Sequence, residues 1–209
     1  MELLHLDPCF VVVLKAAGEL SEGEGKDALP TRLADLLRER GETAEVYPVH
    51  RLDRETGGLL VYARTKQAAA SLSLSFSEGK CKKEYLLLCE GTPDPLCGEM
   101  QDLLYFDRTR NKSFTVTRKR NGVKEARLAY QTLTPAAARE DGLSLVRVRL
   151  FTGRTHQIRV QFASRRLPLK GDRRYGAKSA APLALFSAHL VFPHPTTGEK
   201  IGFSASAPF

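Results

Sequence analysis

Short apolar segments separated by polar turns recur along the whole chain, and this pattern constrains the fold more than any other feature. In residues 143–150, Arg147 and Arg149 alternate with apolar side chains, which is typical of a strand with one buried and one exposed face. Similar apolar or alternating runs predict the remaining strands, at residues 9–15, 58–63, 83–89, 113–118, 125–133, 185–192 and 201–205. Strands therefore dominate the predicted structure.

Helical patterns interrupt the strands at few places, and the first of them follows residue 29. Pro30 is favoured in the first turn of a helix, and Gly41 is favoured just after the last turn. Between them, Leu33, Leu36 and Leu37 recur at the spacing of one helix face. The sequence therefore predicts an amphipathic helix that begins at Pro30.

Two further helices are predicted from capping residues. Thr65 can cap a helix that ends near Gly79, and Thr155 can cap a helix within residues 152–166. Strands interrupted by two or three helices indicate an α+β fold, with one mixed, largely antiparallel sheet flanked by a few helices and loops. The length fits a single substantial domain over residues 1–209, or two small lobes that share a sheet.

The composition indicates a cytoplasmic protein without a metal. No apolar run reaches the length of a membrane span, and the run at residues 10–14 is too short for a signal peptide. The cysteines are far apart and form no Cys-x-x-Cys pair, so zinc ligation is a poor explanation for Cys9, Cys81, Cys89 and Cys97. We expect buried, unpaired thiols in a reducing compartment.

Positive charge is concentrated in two tracts. Residues 108–127 and residues 151–180 each hold eight Lys or Arg residues and a single acidic residue. Since the whole chain has a formal net charge of +8, the residues outside the tracts are net acidic. A single basic run is usually a solvated surface, but two on an otherwise acidic chain favour a polyanion as partner. Nucleic acid is therefore the leading partner on charge alone.

Asp53 has the setting of a catalytic carboxylate. It lies between Arg51 and Arg54, and guanidinium groups on both sides favour an ionised carboxylate, which suits a nucleophile or a base. Gly57 and Gly58 follow, and they allow backbone or substrate to approach closely. Arginine and aspartate are also common neighbours in surface turns. On these residues alone, a salt bridge in a turn is the better explanation.

A second group of polar side chains lies at the predicted start of the third helix. Residues 152–159 read TGRTHQIR and bring several hydrogen-bond donors together, and a helix start favours an anion such as a phosphate or a carboxylate. Arg154 can hold a carboxylate such as Asp53 through a bidentate pair. His156 by itself is more often structural than catalytic.

Tyr85 follows Lys83 and Glu84 at the start of a predicted strand. A tyrosine in a strand usually belongs to the core, but its ring also offers a face on which a nucleobase can stack. Both explanations remain open on the sequence of this segment.

Several motifs together resemble those of a known enzyme family. Residues 50–61, HRLDRETGGLLV, resemble the signature of the RluA-type pseudouridine synthases, which has His-Arg-Leu-Asp, two variable residues, Thr-Ser-Gly and an apolar strand. Further matches follow in the family's order along almost the whole chain: Lys83-x-Tyr85, TGRTHQIR at residues 152–159, Gly171-Asp172, Ala188-His189 and His194-Pro195. On these motifs the chain is identified as a member of that family.

The resemblance implies an enzyme that isomerises uridine in RNA to pseudouridine, without a cofactor or a metal. In that reaction the glycosidic bond breaks, the base rotates and a carbon–carbon bond forms. Position by position, Asp53 is expected to start glycosidic cleavage, Arg154 to pair with it, and Tyr85 to pack on the target base. Arg51 is expected to fill the space that the flipped uridine leaves.

The expected partner is a structured ribosomal or transfer RNA, bound by a monomeric enzyme that does not attach to membranes. The resemblance places RNA contacts at His50, Arg51, Thr56, His156, Gln157 and Arg159. No segment that could form the S4-type RNA-binding domain of many relatives precedes the motifs, so these contacts are expected from the catalytic domain alone.

Three positions depart from the family's pattern. Gly57 stands where Ser is usual, Ala16 where Pro is usual, and Gln161 where His is common. The first two can loosen their loops, and they motivate a second hypothesis, an RNA-binding assembly factor or chaperone with reduced activity. A third hypothesis is a glycosidase that removes the base, although glycoside hydrolysis ordinarily needs a pair of carboxyl groups.

Overall fold

The computed structural model describes all 209 residues and contains eleven strands, three α-helices and two short 3-10 helices. The chain forms two compact units. Unit 1 comprises Met1–Lys83 with Ser187–Pro208, and unit 2 comprises Glu84–Phe186 with Phe209. None of the helices combines the length and the apolar content that crossing a membrane requires.

The content of strands and helices confirms the predicted α+β class. In chain order, the elements are β1 (Glu2–Leu6), β2 (Phe10–Lys15), α1 (Leu29–Glu39), β3 (Tyr47–Pro48), β4 (Gly57–Ala63), α2 (Lys66–Ser77), β5 (Lys82–Glu90), β6 (Cys97–Asp107), β7 (Lys112–Val116), β8 (Val123–Thr134), β9 (Leu143–Leu150), α3 (Gln157–Ala163), β10 (Leu185–Pro193) and β11 (Lys200–Ser204). The chain passes between the units within β5 and again within β10.

The strands of unit 1 follow the order β1, β2, β4 and β10. β2 pairs antiparallel with both β1 and β4, while β3 also pairs with β4 and β11 pairs with β10. β4 is buried at every residue, which explains why its sequence is a continuous apolar run rather than an alternating one. β1 escaped prediction because it is short and largely exposed, so its sequence, ELLHL, carries little pattern.

The core of unit 1 holds β4, and with it the Asp53 turn, in place. Its buried side chains are Phe10, Val12, Leu59, Val61, Ala63, Ala68, Leu72, Cys81, Leu190 and Phe192. Thr65 caps α2 as predicted, since its hydroxyl accepts a hydrogen bond from the Ala68 amide at 3.1 Å. α1 starts with Pro30 in its first turn and buries Leu33 and Leu37, as the leucine spacing predicts.

The strands of unit 2 follow the order β5, β9, β8, β6 and β7. The pairs β9–β8, β8–β6 and β6–β7 are antiparallel, and α3 packs on β6 and β7. β6 was not predicted because its first half, CGEMQD, is polar and poor in β-branched residues. Its long pairing with β8, from Cys97 opposite Gln131 to Tyr105 opposite Val123, supplies the extended conformation instead.

All four cysteines are unpaired, but only two of them are buried. Burial raises the pKa of the Cys81 thiol to about 11 and that of Cys89 to about 12. Cys9 is partly exposed and Cys97 is exposed. The prediction of buried thiols is therefore wrong for Cys97, because this residue opens β6 on the solvent-facing side of the strand.

Candidate active site

The turn that carries Asp53 connects β3 to β4 and is closed by its own backbone. The Asp53 carbonyl accepts a hydrogen bond from the Thr56 amide at 3.0 Å, and Asp53 itself is partly exposed. Ser21 anchors the neighbouring residue, because its hydroxyl donates to the Leu52 carbonyl and accepts from the Leu52 amide at 3.1 Å. The Tyr62 hydroxyl in turn donates to the Ser21 carbonyl at 2.8 Å.

Lys15 is the residue that fixes the far side of this turn. It lies at the end of β2, is 1% exposed, and directs its ammonium group to three backbone carbonyls. The distances are 2.6 Å to Thr56, 2.9 Å to Arg54 and 3.1 Å to Ala16. A single buried cation therefore joins the loop after β2 to the residues that follow Asp53.

Two opposing effects act on the pKa of the buried Lys15. Burial lowers the pKa of Lys15 to about 8, although the negative charges of Glu19 and Asp53 act in the opposite direction. Lys15 therefore remains mostly protonated at neutral pH. Lys15 therefore brings a positive charge near Asp53 that the sequence motif does not indicate.

The two arginines beside Asp53 are engaged with the loop before it. The Arg51 guanidinium forms an exposed ion pair with Glu22 at 2.6 Å. Arg54 donates to the Gly18 carbonyl at 2.9 Å, and its own carbonyl accepts from the Gly18 amide at 2.7 Å. These contacts hold the turn against the loop that precedes it in the sequence.

Gly58 meets the expected need for close approach in this motif. Its φ is +115°, and a Cβ atom at this position would lie 2.4 Å from the Ser187 carbonyl oxygen and 2.5 Å from the Ser187 nitrogen. Only glycine fits such a position without moving backbone. Thr56, two residues before, is 2% exposed, and its hydroxyl is buried.

His50 is partly buried in unit 1, where β4 and α2 hold its ring. Its Nε2 accepts a hydrogen bond from the Val61 amide at 3.1 Å, and its ring stacks on Phe76 with the centroids 4.4 Å apart. Loss of solvation lowers the pKa of His50 to about 3, and the charge of Lys83 acts in the same direction. A neutral imidazole that accepts from β4 supports the strand. For His50 to contact RNA as predicted, its ring would have to leave these contacts with Val61 and Phe76.

In unit 2, Gln157 organises the turn before α3. Its side-chain oxygen accepts from the Thr152 hydroxyl at 2.8 Å and from the Arg154 amide at 3.0 Å. Its side-chain nitrogen donates to the Arg127 carbonyl at 3.1 Å. Gln157 is 3% exposed, so the side chain predicted to contact RNA instead shapes the turn that presents Arg154.

Arg154 is partly exposed and is oriented by β8. Its Nε donates to the Glu125 carbonyl at 2.8 Å. The Glu125 carboxyl has a lowered pKa, chiefly because of Lys119 and to a lesser degree because of Arg154. The backbone contact at Nε sets the direction in which the guanidinium points.

The helix cap predicted at Thr155 is wrong. The N-cap of α3 is His156, in the left-handed conformation with a φ of 53°, and no side chain caps this end of the helix. Thr155 instead uses its carbonyl, which accepts from the Ser113 hydroxyl. The His156 ring lies 3.0 Å from the Tyr175 hydroxyl through Nδ1, and this contact helps to hold the unusual backbone.

Arg159 is buried in an ion pair. Its Nε and Nη2 lie 2.7 and 2.8 Å from the two carboxylate oxygens of Asp172, and both side chains are at most 2% exposed. Its guanidinium also lies 5.3 Å from the Tyr175 ring centroid. Burial raises the pKa of the Tyr175 phenol to about 12, and its hydroxyl accepts from the Ser113 amide at 2.8 Å. Direct contact with RNA, as predicted for Arg159, does not fit this burial.

Tyr85 lies on β5 and is 6% exposed. This burial is compatible with the core position that is usual for a tyrosine in a strand. The stacking role implied by the resemblance remains a prediction.

Both predicted basic tracts lie in unit 2. This unit contains 19 of the 32 Lys and Arg residues but 10 of the 24 Asp and Glu residues. The side chains of the tracts are mostly exposed, including Arg108, Arg110, Lys119, Arg165 and Arg173. The positive charge is therefore a property of the surface of one unit, as binding of a polyanion requires.

The structure brings the predicted residues together in two groups. Asp53 lies with His50, Arg51 and Thr56 in unit 1, while unit 2 holds Tyr85, Arg154 in the turn before α3, and the rest of the Arg154 motif at the start of α3. No three His, Cys, Asp or Glu side chains converge in a way that would hold a metal ion.

Comparison with known proteins identifies the family of this chain. The family model described as RNA pseudouridylate synthase matches residues 9–164, which include Asp53, Tyr85 and Arg154. The chain belongs to the RNA pseudouridylate synthase family. The family predicted from the motifs is thereby confirmed.

Several members of the RNA pseudouridylate synthase family align with nearly the whole chain. An uncharacterized RNA pseudouridine synthase of Aquifex aeolicus is 36% identical, over 96% of this chain and 65% of that protein. The ribosomal large subunit pseudouridine synthase D of Zymomonas mobilis is 33% identical, again over 96% and 65%. The dual-specificity RNA pseudouridine synthase RluA of Escherichia coli is 33% identical, over 99% and 93%. The chain thus spans just under two thirds of the first two relatives.

Solved structures of the same family share the fold. Human RNA pseudouridylate synthase domain containing 4 superposes with a TM-score of 0.78 at 24% identity, over 99% of this chain and 88% of that one. Human RNA pseudouridylate synthase domain containing 1 gives 0.77 at 24%, over 100% and 84%. These similarities confirm the predicted pseudouridine synthase fold.

Proposed function

We propose that this chain is an RNA pseudouridine synthase that isomerises uridine in a structured ribosomal or transfer RNA. The observation that carries the proposal is the anchored Asp53 turn, within a segment that matches the family from residue 9 to residue 164. The name of the Zymomonas mobilis relative, a ribosomal large subunit synthase, favours ribosomal RNA.

Asp53 is the proposed catalytic carboxylate. Lys15 and Ser21 hold the backbone on both sides of it, so the carboxylate is presented from a turn with little freedom to move. A positioned group of this kind lowers the cost of reaching the reactive geometry. The target nucleotide must leave the helical stack to reach it, because the glycosidic bond is inaccessible in a stacked strand.

Arg154, Tyr85 and Arg51 take the roles that family membership suggests. Arg154 pairs with Asp53, Tyr85 packs on the target base, and Arg51 fills the space left by the flipped uridine. Because Asp53 belongs to unit 1 and the first two belong to unit 2, this proposal requires both units to act as a single catalytic domain, residues 1–209.

The remaining motif residues are better assigned to support than to RNA contact. His50 accepts from β4, Gln157 shapes the Arg154 turn, and Arg159 is paired with Asp172 inside unit 2. Thr56 and His156 are buried as well. We therefore assign phosphate contacts to the exposed arginines and lysines of the two basic tracts, which act through charge.

The departures at Ala16 and Gln161 do not favour the alternative of an RNA-binding assembly factor or chaperone with reduced activity. Ala16, where Pro is usual, donates its amide to the Glu19 carboxylate at 2.8 Å, a bond that proline cannot form. Gln161, where His is common, donates to the Met100 carbonyl at 3.3 Å and to the Asp102 carboxylate at 2.6 Å. Both residues therefore form hydrogen bonds that hold their surroundings in place.

The release of tritium from RNA labelled at C5 of uridine tests the proposal, since this hydrogen leaves when the new carbon–carbon bond forms. Wild-type protein is expected to release tritium, and Asp53→Asn is expected to reduce the rate by about a thousandfold or more. Asp27→Asn changes an exposed aspartate in the same unit and serves as the matched control.

Binding measured on the same RNA completes this experiment. Asp53→Asn is expected to keep its affinity for RNA within about twofold, since the substitution removes the chemistry and not the phosphate contacts. Turnover at the wild-type rate in Asp53→Asn would contradict the assignment. A wild-type protein that binds RNA but never releases tritium would instead favour the assembly factor.

We further propose that the enzyme works as a monomer in the cytoplasm, without a metal or cofactor. Unpaired thiols at Cys9 and Cys97, which are not buried, fit a reducing compartment.

A further inference from the structure

One face of the sheet in unit 2 is open to solvent and carries an unusual set of side chains. β6, β8 and β9 pair antiparallel, and their other face is buried through residues such as Met100, Leu128 and Val148. The solvent-facing side chains include Cys97, Glu99, Gln101, Glu125, Arg127, Gln131, Arg147 and Arg149, and Phe151 follows at the end of β9. We call this face the arginine face, after its three arginines.

Phe151 is the apolar exception on the arginine face. It directly follows β9, where its amide donates to the Arg127 carbonyl at 3.1 Å, and it is 37% exposed. The guanidinium carbons of Arg127 and Arg149 lie 4.7 and 5.3 Å from its ring centroid. The ring is thus held near two cations that are attracted to its π-system, and it remains partly exposed.

Glu99 fixes the geometry of this cluster. Its carboxylate accepts from Arg127 Nε at 2.9 Å and from Arg127 Nη2 at 3.0 Å, which holds the guanidinium plane in one orientation. An exposed ion pair of this kind adds little stability. Its more useful consequence is a preorganised set of flat surfaces, because less rotamer freedom remains to be lost when a ligand binds.

The arginine face also adjoins the turn that presents Arg154. Phe151 is followed by Thr152, whose hydroxyl accepts from the Arg127 amide at 2.9 Å and donates to Gln157. A ligand that rests on Phe151 would therefore lie next to a turn assigned to the catalytic machinery. A sheet face with an exposed aromatic ring and arginines is a common means of holding single-stranded RNA, since bases stack on the ring and phosphates contact the cations.

We propose that Phe151, Arg127 and Arg149 form a stacking platform for an unpaired base of the substrate RNA, beside the target uridine. This inference rests on the proposed function and deepens it, because it assigns a residue that selects RNA by the presence of an unpaired neighbour. Bases inside a duplex are already stacked and do not offer a free face. The platform is therefore expected to discriminate single-stranded from double-stranded RNA.

Binding of two RNA probes to the full chain tests the platform. Phe151→Ala is expected to weaken binding of a labelled oligouridine of about twelve nucleotides by about tenfold, and to leave binding of a duplex of equal length within about twofold. Phe151→Tyr, which retains a ring, should restore oligouridine binding. Phe209→Ala is the matched control, because Phe209 has a similar exposure of 38%. Unchanged oligouridine binding by Phe151→Ala, or equal weakening of both probes, would overturn the platform.

A photochemical cross-link reports the contact itself. Oligouridine that contains 5-iodouridine is irradiated on the wild-type protein and digested with trypsin. The peptide Leu150–Arg154 is expected to carry the added nucleotide mass, and Phe151→Ala is expected to lose it. Failure of the proposed function would appear separately, as wild-type protein that cross-links at Phe151 but releases no tritium. If wild-type protein releases tritium but forms no cross-link at Phe151, and Phe151→Ala binds oligouridine normally, the platform is refuted while the proposed function stands.

Discussion

Replacing Gly58 by alanine is expected to destabilise unit 1 strongly, because the added methyl group has no room. Gly58 lies near the start of β4 at a φ of +115°, and the new Cβ would lie 2.4 Å from the Ser187 carbonyl oxygen. The nitrogen and Cα of Ser187 would be 2.5 and 2.8 Å away. All three contacts are with backbone, so no side chain can rotate to relieve them.

Two terms set the magnitude of this effect. Holding an alanine at a positive φ costs about 1–2 kcal/mol, and forcing a methyl group into packed structure costs about 1–3 kcal/mol. Gly58→Ala is therefore expected to lower the free energy of unfolding by about 2–5 kcal/mol. For a chain of this length, each kcal/mol corresponds to about 2–4 °C in Tm, so Tm should fall by roughly 4–20 °C.

Gly79→Ala separates the two terms. Gly79 also has a positive φ, +71°, but nothing lies within 4 Å of its hypothetical Cβ. Only the conformational cost of about 1–2 kcal/mol is expected there. Urea denaturation followed by circular dichroism measures both variants against wild type. If Gly58→Ala lost no more stability than Gly79→Ala, the close approach to Ser187 would not explain the glycine.

Two further predictions concern Lys15 and Arg154. The pKa of Lys15 is about 8 in the folded chain and 10.5 when unperturbed, so the unfolded chain holds an extra proton between these values. The free energy of unfolding of the wild-type protein, relative to that of Lys15→Met, should therefore rise by up to about 3 kcal/mol as the pH increases through this window. Urea denaturation of both proteins from pH 7.5 to 9.5 measures this difference. The same pH dependence in both proteins would refute the burial of a charged lysine. Arg154→Ala should lower kcat at least about tenfold, whereas Arg173→Ala, which removes an exposed arginine of the same unit, should chiefly weaken RNA binding; equal kcat values in these two variants would remove Arg154 from the active site.

Much of the fold follows from local sequence patterns. The alternation in β9, the cap at Thr65 and the leucine spacing of α1 each depend on residues within one element, and each is confirmed. β6 is different, because its conformation depends on pairing with β8 rather than on its own residues. The helix start at His156 also escaped prediction, since contacts with Ser113 and Tyr175, distant in sequence, override the preference for a threonine cap.

The site was predictable only as far as its motifs extend. The Asp53 and Arg154 segments could be recognised from their order, but not the residues that hold them in place. Lys15 contacts the Asp53 turn across a sequence separation of 39 residues, and Asp172 reaches Arg159 from beyond α3. A short sequence motif also does not reveal which of its side chains are buried. Arg159 belongs to the motif and yet serves the core of unit 2.

The most direct test of the account is the identity of the nucleoside that the protein makes. Wild-type protein and Asp53→Asn are incubated with unmodified ribosomal and transfer RNA, and the digested nucleosides are separated and identified by mass spectrometry. We expect pseudouridine with wild-type protein, no free uracil, and no pseudouridine with Asp53→Asn. Free uracil with abasic RNA would show that the chain breaks the glycosidic bond without rejoining the base, and pseudouridine in the Asp53→Asn reaction would show that another residue carries the chemistry.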